Sequence, residues 1–146
     1  MNKLNHIIAD SKKLESERVL VNGGARGGFF LPKPIAAYYH ASDVYDDDLL
    51  ASCFAEDAIL IDEGEEYHGP KDVSGHILEA NRNAKVITEI TDCIEKNDET
   101  VVTATISGNF DGSPVPLDFH FTLNNGKIKT LNIVMADEIV GGERLI

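Results

Sequence analysis

The chain has 146 residues, of which 42% are hydrophobic, and its 25 acidic side chains against 13 basic ones leave a formal net charge of −12. That length and apolar content describe one domain with a core and exclude a disordered chain. The negative charge, with no Lys/Arg cluster to offset it, argues against a nucleic-acid partner, and no apolar run approaches the roughly 20 residues that span a membrane.

Cys53 and Cys93 have no CxxC spacing and read as small core hydrophobes in a reducing compartment. The start of the chain has no continuous apolar run of the signal-peptide kind, so a cytoplasmic protein is expected.

Residues 1–31 differ from the rest and read as an N-terminal arm or linker, partly helical. Leu4, Ile7, Ile8 and Leu14 fall near helical spacing between charged residues. Val19-Leu20-Val21 then runs into Asn22-Gly23-Gly24-Ala25-Arg26-Gly27-Gly28, where the glycines break any regular element. That stretch lacks the Gly-Lys-Ser/Thr ending or GxGxxG spacing of a phosphate loop. Phe29, Phe30 and Leu31 need cover from the domain or a partner chain.

A single domain is expected over 32–146. Pro34 suits the first turn of a helix over 35–45, with Ile35, Tyr38, Tyr39 and Ser42 on one face. Asp46, Asp47 and Asp48 offer an N-cap to a second helix over 48–55. Ala58–Ile61 reads as a short buried strand and Glu63–Glu66 as a solvated turn. Pro70 begins a helix over 70–82, with Val73, Ile77 and Leu78 inward. Four β-rich runs follow, over 86–94, 101–110, 115–123 and 128–135. Asp111-Gly112 and Asn125-Gly126 are hairpin signals between them. Helices first and a meander after describe an α+β fold in which the sheet curls around the helices and leaves a pocket at its open end.

Phe54-Ala55-Glu56-Asp57-Ala58-Ile59-Leu60-Ile61-Asp62 followed by His68-Gly69-Pro70 resembles the segment that carries the general-base aspartate of the ketosteroid isomerases. The order of elements resembles the cone-shaped α+β barrel shared by nuclear transport factor 2, the SnoaL-like polyketide cyclases and those isomerases. There, N-terminal helices pack on a curved, mostly antiparallel sheet. The resemblance covers about 32–136.

It implies Asp62 as a base that takes a proton next to a carbonyl. Tyr38 would be a donor to the oxyanion, and Asp118 (in its acid form) or His120 a second donor. It implies pocket walls from Phe54, Tyr67, His76, Leu131 and Met135. No cofactor and no metal are implied. The expected ligand is small, apolar or carbonyl-containing, and the expected assembly is a homodimer. The reaction would be that of an isomerase, cyclase or dehydratase; the alternative is a non-catalytic binding or interaction module on the same fold.

Two questions stay open in the sequence. Asp62 ends an apolar strand, so it is either a turn residue or a chemical group. Alternation alone sends Leu117, Phe119 and Phe121 to the core and Asp118 and His120 outward; the resemblance sends Asp118 and His120 into the pocket. A one-residue slip reverses all five.

Overall fold

A computed structural model of the protein describes residues 17–22, 27–136, 139–140 and 143–144. The helix expected near Leu4–Leu14 and the glycines at 23–24 lie outside the described residues.

The described part of the expected arm is a β-hairpin. Strands β1 (Arg18–Asn22) and β2 (Gly28–Pro32) pair antiparallel, with Val19 opposite Leu31 and Val21 opposite Phe29. Leu31 is fully buried in the core, while Phe30 beside it is 66% exposed. The cover that Leu31 needed comes from its own domain.

Pro32 leads into α1 (Lys33–Val44), which Tyr45 ends in a left-handed conformation at φ 57°. Its one buried face carries Ile35, Tyr38, Tyr39 and Ser42 at the expected spacing. Helix α2 (Asp47–Ser52) is short, and Asp46 caps it by accepting from the Leu49 amide at 3.1 Å. Strand β3 (Phe54–Asp62) is longer than the buried stretch that the sequence marks. The expected turn at 63–66 shrinks to Glu63 and Gly64, both at positive φ, because Glu65 and Glu66 already belong to β4 (Glu65–His68). Helix α3 (Pro70–Ala84) buries Val73, Ser74, Ile77 and Leu78.

The long strands are β5 (Ile87–Lys96), β6 (Glu99–Ser107), β7 (Val115–Asn124) and β8 (Lys127–Met135). Asn125 and Gly126 both take positive φ between β7 and β8, which is the two-residue hairpin turn that the Asn-Gly pair signals. The Asp111-Gly112 signal instead lies within a longer connection that includes a cis Ser113–Pro114 bond. Two-residue strands β9 (Ile139–Val140) and β10 (Glu143–Arg144) pair with each other.

The main sheet has the order β4-β3-β8-β7-β6-β5. Only β3 and β8 run parallel; every other pair is antiparallel. Phe119 lies opposite Val102 on one side and Ile133 on the other, and Phe121 lies opposite Thr100 and Leu131. All of these are buried against the helices together with Leu50, Leu60 and Ile128. Each fully buried Leu, Ile or Phe here contributes about 1.5–3 kcal/mol. The molecule is thus an α+β cone: helices packed in a curled, mostly antiparallel, unclosed sheet. Among the described residues no helix is long and apolar enough to cross a membrane.

Candidate active site

Strand parity carries Asp62 inward. Ala58 and Leu60 are fully buried, and successive side chains on a strand alternate faces, so Asp62 leaves β3 on the same side. An Asp that opens a tight turn commonly bonds to the amides of that turn. Asp62 does not: among the described residues its hydrogen bond goes to His76, with Oδ2 2.9 Å from Nε2. A carboxylate only accepts, so the chemistry of the pair assigns the proton to Nε2. The two side chains are 27% and 25% exposed. The His76 ring stacks on Tyr67 with centroids 3.9 Å apart and planes 16° apart, and the Tyr67 hydroxyl reaches Glu65 Oε2 at 3.4 Å.

Helix α1 supplies the opposite wall. Tyr38 and Tyr39 are both buried and meet edge to face at 4.9 Å. Tyr38 also packs edge-on against Phe121 at 5.4 Å and Phe54 at 6.1 Å. Burial pushes the Tyr38 phenol well above the ordinary tyrosine range; the nearby Asp62 charge raises it further and Ser42 offsets part of this. Burial also raises Tyr39, whose hydroxyl has no hydrogen-bond partner among the described residues. Ser42 donates to the Tyr38 carbonyl at 2.8 Å.

These groups line a half-open cavity of about 100 Å³. Tyr38, Tyr39 and Ser42 come from α1, Asp62 from β3, and Ile77, Ala80 and Asn81 from α3. Val86, Thr88, Ile106, Leu117, Phe119 and Ile133 complete it from the sheet side. The wall is mostly hydrocarbon, and its charged side chain is Asp62. Asn81, one helical turn after Ile77, is a polar wall residue that the sequence reading passed over; the i, i+4 spacing on α3 was the available signal.

Of the four proposed catalytic side chains, the structure brings Asp62 and Tyr38 to one cavity. Asp118 and His120 lie on the other face of β7, because Leu117 and Phe119 face the cavity and neighbours on a strand alternate. The alternation pattern describes this strand. Asp118 is 6% exposed there and accepts from the Thr103 hydroxyl at 2.6 Å. His120 Nδ1 pairs with the Glu99 carboxylate.

The proposed pocket walls also divide. Phe54 and Leu131 are core residues behind the cavity, and Met135 is 59% exposed at the end of β8. Tyr67 and His76 line an open outer groove with His68, Lys71, Asp72 and Glu79. Among the described residues no group of three His, Cys, Asp or Glu side chains is gathered to hold a metal ion.

Comparison with known proteins agrees with this architecture. The family model for the SnoaL-like domain matches residues 35–131. A candidate polyketide cyclase from Sinorhizobium meliloti is 34% identical, covers 71% of this chain and 95% of its own, and superposes with a TM-score of 0.68. A Catenulispora acidiphila protein with a ketosteroid isomerase-like fold, solved with trimethylamine, is 21% identical over 70% of this chain and 85% of its own, with a TM-score of 0.61. A candidate SnoaL-like polyketide cyclase from Shewanella putrefaciens, 13% identical over 70% and 77%, has a TM-score of 0.59. These last two share the fold alone. No curated protein matches. The chain belongs to the SnoaL-like domain family.

Proposed function

We propose that the protein binds a small, weakly polar carbonyl compound in this cavity and moves a proton on the carbon next to the carbonyl, without a cofactor, as an isomerase, cyclase or dehydratase. The observation that carries the reading is the meeting of Asp62 and Tyr38 in one apolar cavity, with Asp62 not spent on its own turn. Proton removal next to a carbonyl needs a base at the carbon and a donor at the oxygen that becomes an enolate. Asp62 supplies the first. Tyr38 supplies the second, as a neutral phenol whose O–H can donate. Low local dielectric strengthens both interactions. The likeness to a candidate polyketide cyclase at 34% identity is in keeping with this class of chemistry.

The alternative is a binding module in which Asp62 only orients a ligand. We also propose a homodimer; mass in solution tests it, and a monomer at working concentration counts against it. A thermal-shift screen of cyclopentanone, cyclohexanone and phenol tests the site itself. A ligand at 100 times its Kd stabilises by about 2.7 kcal/mol. The reading expects such a shift in the wild type and an altered one in Asp62→Asn. No shift with any of these compounds, and Asp62→Asn merely changing the melting point, would contradict it.

A further inference from the structure

Asp62 Oδ2 accepts from His76 Nε2 at 2.9 Å. Asp62 lines the cavity, whereas His76 lines the outer groove. The hydrogen bond therefore links a cavity residue to a groove residue. Tyr67, stacked on the imidazole at 3.9 Å, fixes the ring plane from the groove side. An Asp at this turn position commonly folds back onto the turn amides, whereas Asp62 is bonded to His76.

We propose that His76 is the positioning residue for Asp62: it occupies Oδ2 and leaves Oδ1 as the oxygen that meets the ligand. This rests on the reading of Asp62 as the base. A carboxylate that rotates freely presents either oxygen in several orientations. One tied through Nε2–H presents a single oxygen in one direction, which is the preorganisation that proton transfer rewards. Tyr67 acts one step further out, by holding the ring that holds the carboxylate.

The test uses cyclohexanone in D2O as the probe and follows deuterium entering the carbons next to its carbonyl by NMR. His76→Phe keeps a ring to stack on Tyr67 and removes the donor. It should lower the exchange rate at saturating cyclohexanone at least tenfold with little change in the half-saturating concentration. His76→Gln, which returns an N–H near the same place, should recover most of the loss. Melting temperatures of both variants separate this from loss of folding. Should His76→Phe fail to fold, the ring 15N spectrum of the wild type decides: a proton on Nε2 supports the assignment and a proton on Nδ1 alone overturns it. Exchange lost in Asp62→Asn but unchanged in His76→Phe overturns the positioning role and leaves the base reading intact. No exchange by the wild type overturns the base reading, and the positioning role with it.

Discussion

Among the described residues, Tyr39 sits in an environment that departs from what its chemistry prefers. It is 4% exposed, its ring packs on Tyr38, Phe119 and Phe121, and its hydroxyl has no partner among the described residues. A buried polar group without a partner costs free energy that its apolar counterpart does not. Tyr39→Phe should therefore raise stability by about 1 kcal/mol, read as a higher urea midpoint at unchanged slope. A drop would mean the hydroxyl is bonded in solution.

Asp118 is the opposite case, buried and supplied with a donor. Thr103→Val removes one hydrogen bond to a buried carboxylate and should cost about 1–3 kcal/mol in the same measurement. Because Asp118 faces away from the cavity, Thr103→Val and Asp118→Asn should leave the thermal response to cyclic ketones as it is in the wild type. An altered response would mean the two faces communicate. The sequence contained the information that separates these roles. Leu117, Phe119 and Phe121 alternate with Asp118 and His120, and the apolar set goes inward because burial of three large side chains outweighs a carboxylate's preference for a pocket. It did not contain the His76–Asp62 bond, which joins residues 14 apart on two elements whose docking the local pattern does not describe.

Elements with strong local signals were readable, and those defined by pairing were not. Helix α1 shows its apolar face and Pro34, α2 shows its Asp cap, and the β7–β8 turn shows Asn125-Gly126. Asp46→Ala should cost α2 about 1 kcal/mol, seen as a lower melting temperature. β4 was hidden because Glu65 and Glu66 look solvated, and it is an edge strand, where such residues discourage further pairing. The parallel pairing of β3 with β8 joins segments just over 70 residues apart, and nothing in either segment announces it. The end of β6 depends on a close approach of the same kind. A Cβ at Gly108 would lie 2.5 Å from the Ala84 carbonyl oxygen at the end of α3. Gly108→Ala should then cost about 1–3 kcal/mol through forced backbone movement, whereas Gly75→Ala on α3, where a Cβ meets nothing, should not destabilise. Equal behaviour of the two variants in thermal unfolding would contradict the packing described.

At the scale of the molecule, the hairpin of β1 and β2 packs on the domain. Arg18 pairs with Glu95 on β5 at 2.8 Å, and Leu31 is in the core. Leu31→Ala should lower global stability by about 2–5 kcal/mol in a single transition. A separate early transition would make the hairpin an appendage. The glycines between its strands read as an arm because a glycine run carries no pairing information. The cone itself was legible from element order, and membership of the SnoaL-like family follows from residues 35–131. The family sets the architecture, whereas the proposed chemistry rests on two side chains lining one cavity.

The most direct test is the rate at which the wild type and Asp62→Asn exchange the hydrogens next to the carbonyl of cyclohexanone for deuterium. A positioned base contributes on the order of 10²–10⁴ in rate. The account predicts exchange above the buffer rate by the wild type and a loss of about a hundredfold or more in Asp62→Asn, with the variant folded and still binding the ketone. Equal rates in the two proteins would show that Asp62 is not the base.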